Sequence, residues 1–301
     1  MRNSVVKAII ERARVDKNIV FLTGDLGYNC LEPFIEEFPD RFFNCGIAEQ
    51  NMLALACGLA FSGKKVFMYS IANFDTLRAL EQIRNNACYM ELDINIIAVG
   101  GGLEYSQLGF SHQSTEDISC MRSLPNMSVF NPANVNEAVA CAKKMLDSSN
   151  PCYLRLNKKG IEFSTKVPAS LQPYKVKEGQ GVAILATGAI LDEALLASDL
   201  LAKKGLNVAV YSCPQIKPIN TKTFAKELCS YEHIYTIEEQ MVNGGFGGMV
   251  AEVLSSLKQK PVLDILGIQD FYSKTIGSRA YLRKEYNIDA QSVAKHILKT
   301  L

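Results

Sequence analysis

Apolar runs alternate with helical patterns along almost the whole chain. In the first half, short runs rich in Val and Ile predict five strands, at Ile19–Leu22, Val66–Tyr69, Ile94–Val99, Met127–Phe130 and Cys152–Leu156. Segments with helical spacing lie between these strands, at Val5–Arg14, Glu49–Ala60, Asp75–Cys88 and Val135–Leu146. Strands that are apolar throughout and separated by helices indicate a parallel sheet covered by helices on both faces.

The alternation is interrupted between Asn157 and Gly181, where lysines, prolines and glycines are typical of a linker. A second alternating series follows, with apolar runs at Val182–Gly188, Leu206–Cys213, His233–Gln240 and Pro261–Ile268. We therefore predict the α/β class, with two doubly wound domains whose sheets are mainly parallel. The expected domains are residues 1–160 and 181–301, joined by a linker at 161–180.

Composition and charge narrow the class of protein. Of the 301 residues, 48% are hydrophobic and 21% are charged, which is typical of a globular protein. The net charge of +1 gives no field that would attract nucleic acid or an anionic membrane. No segment approaches the roughly 20 apolar residues of a membrane span, and the charged N-terminus does not resemble a secretory signal. The nine cysteines include no C-x-x-C pair, which predicts reduced thiols and a cytoplasmic location.

Two residues are candidates for catalytic roles. Glu49 lies at a predicted corner between a strand and a helix, beside apolar residues, where a carboxylate is costly unless something uses it. An ordinary acid stabilised by the helix dipole is the alternative. His112 lies in a loop before a helix whose start Ser114 and Asp117 predict as a capping box. A histidine held there can donate to a substrate oxygen or relay a proton near neutral pH.

A resemblance to transketolase and its relative deoxyxylulose-phosphate synthase is carried by three segments, "CGIAEQNMLALACGLAFSGKKVF", "SIANFDTLRALEQIRN" and "LGFSHQSTEDISCMRSLPNMSVFNPANVNEA". These resemble the pyrimidine-binding domain of that family. The later segments "YTIEEQMVNGGFGGMVAEVL" and "ILGIQDFY" resemble its C-terminal domain. The resemblance covers nearly the whole chain. It implies a thiamine-diphosphate-dependent transferase that moves a two-carbon ketol unit between sugars or sugar phosphates.

The resemblance also implies roles for individual residues around the cofactor. Glu49 would hydrogen-bond N1′ of the aminopyrimidine and favour the imino tautomer, whose nitrogen removes the C2 proton. Phe74 would stack on the pyrimidine ring, and Ile71 stands where the family usually has a second Phe. His112 would face the thiazolium and the substrate carbonyl. Asp25 aligns with an acidic residue near the cofactor at the subunit interface.

Basic residues at both ends of the first predicted domain are candidates for substrate contacts. Arg2 aligns with an arginine that contacts the phosphate of sugar phosphates, a role that suits the bidentate guanidinium. Lys158 stands where the family has a phosphate-binding arginine, with Arg155 nearby, although a solvated linker is an alternative for both. Leu108 replaces an aspartate that contacts a sugar hydroxyl. This change predicts weaker binding of ordinary phosphorylated ketoses. Unphosphorylated or nucleotide-linked sugars are therefore alternative substrates.

The diphosphate anchor of the family is missing from this sequence. In the family a G-D-G motif, followed further along by Asn, holds a divalent ion such as Mg²⁺ on the diphosphate, and no G-D-G occurs here. We therefore expect a partner chain that carries the diphosphate domain and the Mg²⁺, in an α2β2 heterotetramer. Two alternatives stay open. The chain could be the β subunit of a 2-oxo acid dehydrogenase E1 component, or a non-catalytic scaffold paralogue.

Overall fold

The computed structural model of the chain describes residues 1–301 and contains two sheets with helices packed on them. The strands are β1 Ile19–Thr23, β2 Phe42–Asn44, β3 Lys65–Ile71, β4 Ile94–Val99, β5 Ser128–Phe130, β6 Cys152–Leu156, β7 Tyr174–Lys177, β8 Gly181–Ala186, β9 Ala209–Ser212, β10 Gln215–Lys217, β11 Tyr231–Met241 and β12 Val262–Ile268. The helices are α1 Arg2–Ala13, α2 Glu32–Glu37, α3 Glu49–Phe61, α4 Ala72–Thr76, α5 Leu80–Gln82, α6 Asp117–Ser123, α7 Val135–Asp147, α8 Leu191–Ala202, α9 Thr221–Leu228, α10 Phe246–Ser255, α11 Arg279–Glu285 and α12 Ala290–Thr300. None of these helices has both the length and the apolar character needed to cross a bilayer.

The strand order confirms the predicted fold class. The first sheet has the order β10-β5-β6-β4-β3-β1-β2, and the second has the order β12-β11-β8-β9-β7. Neighbouring strands are parallel, except that β10 is antiparallel to β5 and β7 is antiparallel to β9. Strand β7 lies within the predicted linker and joins the second sheet, whereas β10 comes from the second half of the chain and joins the first sheet.

Strand alternation divides the core between the two faces of the first sheet. In β1, Val20 and Leu22 face the side covered by α3, while Ile19 and Phe21 face the side covered by α1 and α7. The cluster on the α3 side contains 39 buried residues and continues to α9 and α10 of the second sheet. The two sheets therefore share a hydrophobic core, which fixes the loops that lie between them.

Two local predictions were wrong. The helical pattern over Asp75–Cys88 is interrupted after α4, because the backbone of Ala79 leaves the helical region of φ and ψ. Helix α5 then starts at Leu80, and a π-helix follows it over Ile83–Cys88. The capping box at Ser114 does not form, since α6 begins at Asp117 and Glu116 occupies its N-cap. The backbone of Ser114 instead forms an antiparallel bridge with Gly102, which prevents it from starting the helix.

Candidate active site

The candidate residues gather at the carboxyl edge of the first sheet. Strand β1 lies between β2 and β3, so the chain turns to opposite sides of β1 in successive crossovers. Such a switch point is where open α/β sheets usually bind ligands. Asp25 follows β1, Ile71 ends β3, and the loop that carries His112 follows β4. Glu49 begins α3, directly after the connection from β2.

Glu49 is only 3% exposed although it opens a helix. Both of its carboxylate oxygens accept hydrogen bonds from Nη1 of Arg78, at 3.2 Å and 3.1 Å. The Arg78 side chain is 48% exposed, so the pair joins a buried anion to a cation at the surface. The free N–H groups at the start of α3 also favour a negative charge there. The site thus holds a carboxylate ready to accept an in-plane N–H donor.

Two aromatic rings extend this site away from the carboxylate. The guanidinium carbon of Arg78 lies 4.1 Å from the centroid of the Phe74 ring. The His112 ring contacts the Phe74 ring at a centroid distance of 5.2 Å and an interplanar angle of 66°. The His112 loop is tied to α4, because Asn73 Nδ2 donates to the carbonyl oxygen of Ser111 at 2.9 Å. The structure therefore brings three predicted site residues together around one arginine.

Arg78 was missed by the sequence analysis. It lies four residues after Phe74 in the segment "SIANFDTLRALEQIRN", in the turn between α4 and α5, and the one available signal was a cation close in sequence to the predicted stacking ring. Its partner Glu49 is distant in sequence, so the ion pair itself had no local signature.

Asp75 was also missed, and it is the most deeply buried acid beside the site. It lies in α4 with no exposed surface, and neither of its carboxyl oxygens has a hydrogen-bond partner. Burial raises the pKa of Asp75 well above its ordinary value, and the nearby charge of Glu49 raises it further. Burial therefore favours the protonated form of this carboxyl group, which lies near the carboxylate that faces the ligand site.

We expect Asp75→Asn to make the chain more stable at neutral pH. The folded pKa lies above the unfolded value of about 3.9, so stability from the protonated form is complete below that value and declines as pH rises. The nearly isosteric amide does not titrate, so its advantage in unfolding free energy over the wild type should be larger at pH 7 than at pH 4. Urea unfolding at both pH values measures this. A difference in unfolding free energy between Asp75→Asn and the wild type that does not depend on pH would contradict the prediction.

A cavity of about 310 Å³ adjoins the same edge of the sheet. It is lined by Arg2, Leu26, Gly27, Tyr28, Tyr69, Ser70, Ile71, Val99, Tyr105 and Lys158. Arg2 Nη1 donates to the hydroxyl oxygen of Tyr69 at 3.4 Å, and the Lys158 ammonium lies 4.4 Å from the centroid of the Tyr105 ring. Two cations that are far apart in sequence therefore line one cavity, together with the predicted cofactor contact Ile71.

Arg155 lies outside this cavity, which corrects its predicted substrate contact. Its buried guanidinium pairs with Asp117 through an Nε–Oδ2 distance of 2.9 Å. Its Nη2 donates to the carbonyl oxygens of Ser114 at 2.6 Å and Glu239 at 3.0 Å. A guanidinium committed to these buried partners joins β6 to the loop before α6 and to β11, and it has no open side for a ligand.

Asp25 holds the turn that follows β1. Its φ of 59° lies in the left-handed region, which Asp tolerates better than most residues. Its Oδ1 accepts hydrogen bonds from Asn44 Nδ2 at 2.9 Å and from the Tyr28 hydroxyl at 3.4 Å. The carboxylate thus joins the ends of β1 and β2 at the edge that carries the other candidates.

Comparisons with known proteins agree on one family. Residues 1–162 match the family model for the transketolase pyrimidine-binding domain, and residues 173–293 match the model for the transketolase C-terminal domain. The chain is 35% identical to a protein of Methanocaldococcus jannaschii named as a putative transketolase C-terminal section, covering 100% of this chain and 96% of that protein. It is 31% identical to one of the subunits of the apulose-4-phosphate transketolase of Actinobacillus succinogenes, covering 97% of this chain and 96% of that one.

A solved structure agrees as well. It is described as a split gene transketolase in an inactive β4 tetramer, and it superposes with a TM-score of 0.85 at 34% identity. The match covers 99% of this chain and 96% of that chain.

Proposed function

Since the chain belongs to the transketolase family, we propose that it is one subunit of a split, thiamine-diphosphate-dependent transketolase. The enzyme would transfer a two-carbon ketol unit between sugars or sugar phosphates. The observation that carries this proposal is the cluster of Glu49, Phe74 and His112 at the switch point of the first sheet. Its acid, aromatic face and imidazole are the three groups that the reaction needs from this half of the site.

The residues present fit the aminopyrimidine half of the cofactor. Glu49 offers a buried carboxyl group to a ring nitrogen, and Phe74 offers a ring face, both now in contact with a flat cationic group. When bound, thiamine diphosphate supplies an acidic ring carbon whose conjugate base attacks the ketose carbonyl. Glu49 would hold the proton that sets the tautomer of the ring, and His112 would donate to or accept from a substrate oxygen.

The cavity lined by Arg2 and Lys158 favours a substrate with an anionic end. Two cations with tyrosine hydroxyls nearby suit a phosphate group better than an uncharged sugar terminus. The relative named for apulose-4-phosphate fits this chemistry. Leu108, which is exposed in the loop before His112, offers no hydrogen bond to a sugar hydroxyl. We therefore propose a phosphorylated sugar that makes few hydroxyl contacts in this region.

We propose that a partner chain supplies the diphosphate-binding domain and the Mg²⁺, in an α2β2 assembly. The relative from Actinobacillus succinogenes supports this, because it is named as a single subunit of its enzyme and matches over almost its full length. The surface around Glu49 supports it too, since Ile47 is 76% exposed and Phe61, at the far end of α3, is 61% exposed. Large apolar side chains exposed at both ends of α3 are typical of a surface that a partner covers.

Reconstitution tests the proposal. This chain would be produced alone and together with a diphosphate-domain chain from the same organism, and each sample would be assayed for retained thiamine diphosphate and for ketol transfer. We expect turnover only in the mixture, with phosphorylated donors favoured over their unphosphorylated counterparts. Tight cofactor retention and turnover by this chain alone would contradict the need for a partner. A mixture that decarboxylates 2-oxo acids instead would favour the dehydrogenase alternative.

A further inference from the structure

The Arg78 side chain makes two contacts that define one ligand shape. Its Nη1 donates to both carboxylate oxygens of Glu49, and its guanidinium plane lies over the ring of Phe74 at 4.1 Å. A group that satisfies both partners has to be flat, to carry N–H donors in its plane and to tolerate stacking on an aromatic face. The guanidinium has all three properties.

These are also the contacts that an aminopyrimidine would make in this site under the proposed function. Its in-plane ring nitrogen, once it has taken the proton that it shares with Glu49, would donate to that carboxylate, and its ring would lie on Phe74. The His112 ring already packs against Phe74 edge to face, at a centroid distance of 5.2 Å. The Arg78 guanidinium already lies on the Phe74 ring at 4.1 Å and on the Glu49 carboxylate, so a ring that makes both contacts competes with it for the same place.

We propose that Arg78 occupies the place of the aminopyrimidine in this chain, and that its side chain has to swing away before the ring can bind. This inference rests on the proposed function and adds to it a residue that sets the affinity for the cofactor. Arg78 acts as a stand-in that keeps a partner on the buried carboxylate of Glu49 while no ligand is bound. The cost of a buried carboxylate without a partner explains why a stand-in is useful.

The surroundings of Arg78 allow this movement. Its side chain is 48% exposed, and its guanidinium has no hydrogen bond to any residue other than Glu49. Its backbone is held, because the Arg78 carbonyl oxygen accepts a hydrogen bond from Gln50 Nε2 at 2.8 Å. The side chain can therefore rotate into solvent while α3 and the segment before α5 keep their positions.

The test uses this chain in the reconstituted two-chain assembly, stripped of thiamine diphosphate, and free thiamine, which carries the aminopyrimidine without the diphosphate. Calorimetric titration would compare the wild type with Arg78→Ala and with Arg84→Ala, an exposed arginine whose Nη1 bonds only to the neighbouring Asn85. If Arg78 blocks the site about nine-tenths of the time, its removal should tighten thiamine binding about tenfold. Arg84→Ala should bind like the wild type.

Arg78→Lys separates charge from shape, and it replaces the alanine variant if that one does not fold. The ammonium keeps the ion pair but cannot stack as a plane, so we expect affinity between those of the wild type and Arg78→Ala. Thiamine binding by the alanine variant that is equal to or weaker than that of the wild type would overturn the inference. So would undetectable binding by both.

A double variant distinguishes failure of the inference from failure of the proposed function. Adding Glu49→Gln to Arg78→Ala should remove the gain in affinity, because the ring would lose its acid partner. If wild-type binding depends on Glu49 and Arg78→Ala gives no gain, only the stand-in role fails. If Arg78→Ala gives no gain and the mixture with the partner chain transfers ketol units without thiamine diphosphate, the proposed function fails as well.

Discussion

Replacing Glu49 by glutamine is expected to lower ketol transfer by the reconstituted enzyme by about three orders of magnitude while the chain remains folded. The amide has the size of the acid and can still accept a hydrogen bond from Arg78. It cannot hold or pass the proton that sets the tautomer of the aminopyrimidine, and general acid–base groups are typically worth about 10²–10⁴-fold in rate. The loss should appear in kcat rather than in KM for the sugar, because Glu49 does not line the substrate cavity.

The measurement is steady-state transfer activity of the two chains mixed, with thermal unfolding of each variant to verify the fold. Glu81→Gln is the matched control, since Glu81 is an exposed glutamate on α5 that bonds only weakly, to Asn85 at 3.5 Å. That variant should retain full activity. Activity of Glu49→Gln within tenfold of the wild type would contradict the role of Glu49. A wild-type assembly that forms but shows no activity would favour the scaffold alternative.

Replacing Glu239 by alanine is expected to destabilise the chain by about 3–5 kcal/mol, the usual cost of removing one member of a buried ion pair. The buried Glu239 Oε1 accepts hydrogen bonds from Arg279 Nε at 2.7 Å and Arg283 Nε at 2.5 Å. Its Oε2 accepts one from Arg279 Nη2 at 2.7 Å. Alanine would remove these three charge-assisted hydrogen bonds and leave Arg279 with Glu104 as its only carboxylate partner. The buried Arg283 would keep only Asp192 and Glu193.

The same carboxylate supports the loop that leads to His112. The Leu103 backbone N–H donates to Glu239 Oε2 at 3.4 Å, and Gly102 packs against the Glu239 side chain. Gly102 has a φ of +64°, and a Cβ at this position would lie 2.7 Å from the Cβ of Glu239. Loss of Glu239 should therefore loosen this loop as well as lower the free energy of unfolding.

The cost of Glu239→Ala should also depend on pH. Burial alone would raise the pKa of Glu239, but Arg279 and Arg283 together outweigh burial and hold it well below its ordinary value. A lowered folded pKa means that the stabilisation is present above the unfolded value of about 4.3 and is lost as pH falls through the folded value. The difference between wild type and variant should therefore shrink in strong acid.

Urea unfolding at pH 7 and at pH 3 measures both effects. The matched control is Glu178→Ala, because Glu178 pairs with Lys175 at 3.0 Å but is 86% exposed. An exposed pair of this kind is worth about 0–1 kcal/mol, so the control should change stability little. If Glu239→Ala lowers the free energy of unfolding no more than the control does, the other partners of the two arginines are sufficient and the prediction is wrong.

Structural features that depend on residues close together in the sequence could be predicted, and features that depend on distant residues could not. The periodicity of apolar residues predicted the α/β class and the positions of most strands, because a strand buried on both faces has to be apolar throughout. It did not predict the short strands β2 and β10, since three residues carry too little pattern. It also joined α4 and α5 into one helix, because periodicity does not detect a single residue that leaves the helical region.

The candidate site divides in the same way. Glu49 and His112 were found because each lies in a segment with its own local signature, a glutamate at a helix start or a histidine in a glycine-bearing loop. Phe74 was found only through the family resemblance. Arg78 and Asp75 were not found, because both matter through Glu49, which lies on another helix. Arg78 donates a hydrogen bond to Glu49, and the charge of Glu49 raises the pKa of Asp75. The sequence also grouped Arg155 with Lys158 because they are close along the chain, but Arg155 is buried within β6 whereas Lys158 lies beyond the end of that strand and is exposed.

The sequence by itself determined the fold class, the order of the elements and the chemical types at the carboxyl edge, since these follow from local periodicity and residue identity. Only the tertiary structure decided which of those groups meet. Packing across a shared core placed Arg2 and Lys158 around one cavity, buried Arg155 in an ion pair, and set Arg78 between Glu49 and Phe74. Such contacts join residues that are distant in sequence, so their free energy leaves no pattern along the chain.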